Sequence, residues 1–217
     1  MESPLLEALP DDDRRELVAM ARRRKFAARE VVFHEGDPGE SMHIVVRGHL
    51  AVKITTPMGE VATLRVLREG EFFGELALIA PGPRNATVVA VDPAETLSIS
   101  KAVLDDLRAS RPAVAAVITE ALVQEVRRLS VALVEALYLP ADKRVLQRLL
   151  DLSGHLGRDD TPVDVVPVTQ SELAELAGVT RETANRVLQR SVEHGALALT
   201  RGKVEILDRA ALIRQAR

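Results

Sequence analysis

Glu75 and Arg84 are the residues whose types and spacing suggest chemistry, in "FGELALIAPGPRNATV" (residues 73–88). A glycine and a carboxylate open a short apolar run, Pro-Gly-Pro breaks it, and an arginine and an asparagine precede a β-branched strand. That order suits a pocket for a small phosphorylated ligand. A planar guanidinium holds two oxygens of a phosphate, and a short helix starting near Gly74 presents N–H groups and a positive end to an anion. The competing arrangement is that Glu75 and Arg84 pair with each other across an empty pocket.

A second set lies in "VTRETANRVLQR" (residues 179–190). Ala184, Val187, Leu188 and Val192 space as a buried helical stripe. Arg181, Glu182, Asn185, Arg186 and Gln189 point the other way. Arginine forks onto guanine O6 and N7, and glutamate accepts from cytosine N4. From Arg181 to Lys203 there are five basic residues (Arg181, Arg186, Arg190, Arg201, Lys203) against two acidic ones (Glu182, Glu193). The net charge of the whole chain is −3, so contact with nucleic acid must come from such a local patch.

The elements that position these side chains follow from changes of period. "PDDD" before Leu17, Val18, Met20 and Ala21 signals a short helix. From about Phe26 to Lys101 the texture turns to short β-branched runs. Seven of the twelve glycines fall between Gly36 and Gly82. In "HLAVKI", Leu50, Val52 and Ile54 alternate with His49, Ala51 and Lys53, as in a half-buried strand. Many short strands with turns about every ten residues predict a small barrel or jelly roll.

Residues 111–140 contain no glycine, and Pro112 near their start and Pro140 at their end suit a helix start and a stop. Ala115, Leu122, Leu129 and Ala136 recur every seven residues, with Val126 and Leu133 between them, a two-helix seam. Val117, Val123, Val131 and Val134 widen the apolar girth, which a partner helix from a second copy would cover. Further on, Thr169 and Glu172 form a capping box. Gly178 ends the first of two short helices, and Thr180 caps the second, which runs to about His194. "ALALTRGKVEIL" then predicts a β-hairpin turning at Gly202, a wing. Two helices, a glycine turn and a wing make a winged helix-turn-helix.

Composition removes other classes. There is no cysteine, so disulfides, thiolate metal sites and cysteine nucleophiles are excluded. The five histidines show no metal-ligand spacing, and no metal is expected. A haem sensor would need a histidine such as His34 or His43, more often an ordinary surface or core residue. No nucleophile–base pair or Walker loop is present, so an enzyme is not expected and no catalytic residue is assigned. No apolar run approaches the ~18 residues that span a membrane, and a cytoplasmic location is expected.

In "FHEGDPGESMHIVVRGHLAV", "GEFFGELALIAPGPRNATV" and "VTRETANRVL" the chain resembles the cyclic-AMP receptor protein/FNR family of bacterial transcription regulators, across nearly its whole length. The resemblance implies an α+β chain: a β-roll effector domain over residues 1–110, which is a double-stranded β-helix (jelly roll) of the cyclic-nucleotide-binding type; a dimerisation helix over 111–139; and a winged helix-turn-helix DNA-binding domain over 140–217. It implies cyclic AMP as effector, with Glu75 taking the ribose 2′-hydroxyl and Arg84 the cyclic phosphate, in a site of Gly74, Glu75, Leu76, Ala77, Arg84, Asn85 and Ala86 with Leu129 and Ser130 of the long helix. Asn85 stands where the family usually has Ser or Thr, and Leu129 where a polar residue reads the base, so another nucleotide, or none, stays open. On the DNA side the set is Thr169, Ser171, Thr180, Arg181, Glu182, Asn185, Arg186, Gln189, Arg201 and Lys203, reading TGTGA-like half-sites of a two-fold site. The implied partners are double-stranded DNA, a second copy of the chain and RNA polymerase. A nucleotide-binding regulatory protein with no DNA role is the rival reading, against which the 179–190 helix and the Arg201–Lys203 wing argue.

Overall fold

A computed structural model describes residues 3–156 and 164–216. The chain forms two compact units, Met1–Arg128 and Leu129–Arg217.

The first unit opens with helices α1 (Pro4–Glu7) and α2 (Asp11–Met20), the latter with three aspartates in its first turn. Eight strands follow: β1 (Arg22–Phe26), β2 (Val31–Phe33), β3 (Ser41–Arg47), β4 (Leu50–Thr55), β5 (Val61–Leu67), β6 (Phe72–Phe73), β7 (Thr87–Ala90) and β8 (Ala94–Ser100). A one-turn helix α3 (Leu76–Ile79) sits between β6 and β7, and α4 (Lys101–Ser110) follows β8. The strands pair antiparallel in two four-stranded sheets, ordered β1-β8-β3-β6 and β2-β7-β4-β5. This is the jelly roll expected from the turn spacing.

Two apolar clusters explain the burial. Phe26, Val45, Leu50, Leu67, Phe73 and Val88 belong to one cluster. Met42, Ile44, Leu97 and Ile99 join Leu5, Leu6, Leu17, Leu104, Val114 and Ile118 of the helices in the other. Strand β3 contributes to both, Val45 to the first and Met42 and Ile44 to the second, so Met42, His43, Ile44 and Val45 are all buried. The alternation expected in "HLAVKI" is not clean: Leu50 and Ala51 are both buried, and the β4–β5 register shifts between Val52 and Lys53. A bulge there re-aims the side chains that follow.

Helix α5 runs from Pro112 to Tyr138. Its first turns serve the roll: Val114 and Ile118 are buried, and Val117 and Leu122 pack against the same cluster. Leu122, expected in a seam, and Val117, expected on an open face, therefore contact their own domain. From Val123 onward the apolar residues stand out: Val123, Val126, Leu129, Val131, Leu133, Val134 and Leu137 are each 43–66% exposed, and Tyr138 is 80% exposed.

The second unit holds the end of α5, then α6 (Ala141–Leu156), β9 (Asp164–Val166), α7 (Gln170–Ala177), α8 (Arg181–Glu193), β10 (Leu197–Thr200), β11 (Lys203–Ile206) and α9 (Arg209–Ala216). Strand β9 pairs with β11, so the wing is a three-stranded sheet rather than a bare hairpin. Arg144 of α6 fastens the unit, donating to Ala177 O (3.0 Å) at the end of α7 and to Leu139 O (2.9 Å) beyond α5.

Candidate ligand and nucleic-acid sites

The guanidinium of Arg84 sits inside the roll, 5% exposed. Its Nη1 donates to Gly74 O (2.8 Å) and its Nη2 to Ser41 O (2.6 Å). Its Cζ lies 4.1 Å from the centroid of the Phe33 ring, a cation–π seat. Nε has no hydrogen-bond partner. A buried N–H left unpaired is costly, so this fork is a donor awaiting an acceptor. Burial lowers the Arg84 pKa, and the charges of Glu75 and Asp37 oppose that. The guanidinium is thus a buried positive charge whose hydrogen bonds go to neutral oxygens, two carbonyls and, at 3.4 Å, the Ser41 hydroxyl, which suits it to an anion.

Gly74 makes the close approach possible. Its φ is +83°, and a Cβ there would lie 2.7 Å from Arg84 Nη1. Both facts demand glycine. Glu75 stands at the N-cap position of the single turn of α3, without a side-chain capping bond, and is half-buried. Burial pushes its carboxyl pKa up; a hydrogen bond from its own backbone N–H and the charges of Arg65 and Arg84 pull it down, and that of Glu125 raises it. Among the described residues no ion pair joins Glu75 to Arg84: the guanidinium is held by backbone oxygens, so the pairing considered from the sequence does not occur. With α3 only four residues long, its dipole is small, so the Arg84 guanidinium, not the helix end, is the stronger attraction this site offers an anion.

Ala77 and Ala86 are buried, Ala77 against Gly39; Leu76 and Asn85 are exposed. Leu129 and Ser130 lie on the exposed part of α5, at the start of the second unit. The sequence reading missed the floor under Arg84. His43 stacks on Phe73 (centroids 5.1 Å apart) and neighbours Phe33. Its Nδ1 shares a hydrogen bond with Thr96 Oγ1 (3.0 Å) and its Nε2 lies 3.4 Å from Ser41 Oγ. Burial, with the nearby positive charges of Arg84 and Arg24, lowers its pKa to about 3. His43 is therefore a neutral core residue at pH 7. These contacts join strands β2, β3, β6 and β8, and no local pattern in the chain announces them.

In the second unit the helix pair forms as its caps require. Thr169 Oγ1 accepts from Glu172 N (3.2 Å) and a Glu172 carboxylate oxygen accepts from Thr169 N (2.8 Å). Gly178 is left-handed at φ +61°, and Thr180 Oγ1 accepts from Thr183 N (3.2 Å). On α8, Ala184, Val187, Leu188 and Ser191 are buried; Ser191, not Val192, completes the stripe. Its hydroxyl donates to Val187 O and Gln215 Oε1, which satisfies it in the core. Arg181, Glu182, Arg186 and Gln189 are exposed and Asn185 is half-buried. Its own backbone N–H and the Thr180 hydroxyl, with the Arg181 charge, lower the Glu182 pKa. Ser171 and Thr180 are exposed at the helix starts, and Arg201 and Lys203 at the wing tip around Gly202. No helix among the described residues is long and apolar enough to cross a membrane, and no acidic or histidine cluster among them would hold a metal.

Comparison with known proteins agrees with this arrangement. The cyclic nucleotide-binding domain family matches residues 23–111, and the Crp-like helix-turn-helix domain matches residues 143–215. The chain is 31% identical over 210 residues to the cyclic AMP receptor protein of Thermus thermophilus, covering 97% of this chain and 95% of that one. It is 29% identical over 194 residues to the CRP-like cAMP-activated global transcriptional regulator of Mycobacterium tuberculosis, covering 88% and 87%. The fold matches that of the c-di-GMP-responsive global regulator of Xanthomonas campestris with a TM-score of 0.80, 24% identity and coverage of 89% and 97%. A β-roll followed by a winged helix-turn-helix, shared with a relative over almost the full length of both chains, places this chain within the cyclic-AMP receptor protein/FNR family of bacterial transcription regulators.

Proposed function

We propose that the chain is a homodimeric, sequence-specific DNA-binding regulator, with no enzymatic activity, whose β-roll is gated by cyclic AMP. The observation that carries this reading is the buried Arg84 fork with its unpartnered Nε, beside a half-buried Glu75 carboxyl that makes no ion pair among the described residues. A cyclic phosphate supplies the acceptor the fork lacks, and a ribose hydroxyl adds a second donor to the Glu75 carboxylate beside its own backbone N–H. Glu75 and Arg84 bind rather than catalyse, since a guanidinium stays protonated.

The apolar residues of α5 from Val123 to Tyr138 are surface that a second copy would cover. A symmetric dimer then carries two α8 helices to half-sites one DNA turn apart, about 34 Å. Arg181, Glu182 and Arg186 are the proposed readers of TGTGA-like half-sites, with Thr169, Ser171, Thr180, Asn185, Gln189, Arg201 and Lys203 around them. RNA polymerase is the partner that a transcription regulator of this type implies.

Calorimetry with cyclic AMP, cyclic GMP and c-di-GMP tests the ligand. Binding of cyclic AMP in preference to the other two supports the assignment; heat with another nucleotide and none with cyclic AMP reassigns the effector. A gel shift on a TGTGA palindrome against random DNA tests the reading heads, and equal affinity for the two would refute specific recognition.

A further inference from the structure

Between the roll and α5 lies a second set of charges. Arg65 of β5 pairs through Nη2 with Glu71 and through Nη1 with Glu125 of α5 (2.9 Å). Arg128 holds the same Glu125 with two donors (2.9 and 2.7 Å), and its Nη1 donates to Leu64 O (2.9 Å). Glu71 stands just before β6, the strand that leads into Gly74 and Glu75, and its carboxylate also accepts from Arg68 N (2.8 Å). One guanidinium thus grips both the approach to the ligand site and the long helix.

We infer that Arg65 is the positioning residue through which occupancy of the Glu75–Arg84 site reaches helix α5. The inference rests on the gated reading above and adds the route. Two cations, Arg65 and Arg128, hold two carboxylates, Glu71 and Glu125, with Glu75 the third carboxylate of the region. Glu75 makes no ion pair with either, yet it feels the charges of Arg65, Glu125 and Arg84. The Arg65, Glu71, Glu125 and Arg128 side chains are 26–35% exposed, so they can exchange partners at small cost, unlike the buried Arg84. A phosphate on Arg84 neutralises the cation that faces Glu75 from one side. Arg65 is then the remaining cation whose charge acts on that carboxylate. Drawing Arg65 toward Glu75 weakens its hold on Glu125, and α5 loses one of its ties to β5. A ligand shifts a two-state helix only through such a differential contact.

The test compares affinity for a labelled TGTGA palindrome at zero and saturating cyclic AMP, in wild type and in Arg65→Gln, Glu125→Gln, the double variant and Arg68→Gln. Arg68 is an exposed cation just past the end of the same strand and serves as the control. The coupling ratio is expected to fall at least fivefold in Arg65→Gln and Glu125→Gln, to fall no further in the double variant, and to hold in Arg68→Gln. A merely structural role would lower melting temperature and leave the ratio intact. A wild type that couples alongside variants that couple equally would overturn the inference and leave the gated reading standing; a wild type with no coupling would overturn both. Amide exchange of wild-type peptides spanning 120–128 gives a readout that no variant's folding can obscure: faster exchange with cyclic AMP supports the route, and unchanged exchange contradicts it.

Discussion

Replacing Arg84 with lysine keeps the positive charge and removes the fork, and the structure allows the consequence to be worked out. Of the five guanidinium N–H groups, one Nη1 donor is given to Gly74 O and one Nη2 donor to Ser41 O, while Nε is unpaired. A phosphate can take Nε and a second Nη donor without breaking either carbonyl bond. A lysine ammonium has three donors on one atom. With two held by the carbonyls, one remains for phosphate. The loss is one charge-assisted hydrogen bond, about 1.5–3 kcal/mol, or roughly 10- to 150-fold in affinity. Arg84→Gln loses both phosphate bonds and the charge, about 3–6 kcal/mol, or roughly 10²- to 10⁴-fold. Calorimetry with cyclic AMP reads the affinity, and thermal melting of the same samples shows that the roll is intact. If Arg84→Gln binds cyclic AMP within threefold of wild type, Arg84 is a strap for two carbonyls and the phosphate assignment fails.

Gly74→Ala is expected to destabilise the roll by about 1–3 kcal/mol, through strain at positive φ and the clash with Arg84, and to weaken nucleotide binding; urea melts check the first and calorimetry the second. His43 titrates near 6.5 when unfolded and at about 3 in the fold, so the unfolded chain binds the extra proton between these values. Stability is therefore full above about pH 6.5 and falls toward pH 3 by up to about 1.4 kcal/mol per unit, a slope that His43→Phe should flatten in pH-dependent melts. Leu133→Glu, at a side chain 60% exposed in the single chain, is expected to convert a dimer to a monomer in sedimentation, and an unchanged mass would refute the α5 seam. Arg181→Ala is expected to lose about 1–3 kcal/mol on a TGTGA site and to blur one base position, whereas a uniform loss across sequences would identify a phosphate contact.

The parts legible in the sequence are those with local causes. The capping box at Thr169 and Glu172, the left-handed Gly178, the turn at Gly202 and the Pro112-to-Pro140 bounds of the long helix each declare themselves within a few residues. Less legible was β1, because "RRRKF" is an edge strand with four exposed positions and so lacks the alternation that marks a half-buried one. Strand β9 is three residues long, too short to carry a period, and its pairing with β11 is nonlocal. The floor of Phe33, Ser41 and His43 under Arg84, and the Arg65–Glu125 tie, join residues far apart in the chain. They arise from how two sheets and a helix close around each other, which no window of sequence contains.

The central claim is that nucleotide in the roll changes how the chain grips DNA. An anisotropy titration of a labelled TGTGA palindrome, at zero and at saturating cyclic AMP, tests it most directly when run on wild type and Arg84→Gln side by side. The account predicts tighter binding with cyclic AMP in wild type and no such gain in the variant. The same DNA affinity in wild type with and without cyclic AMP would contradict it.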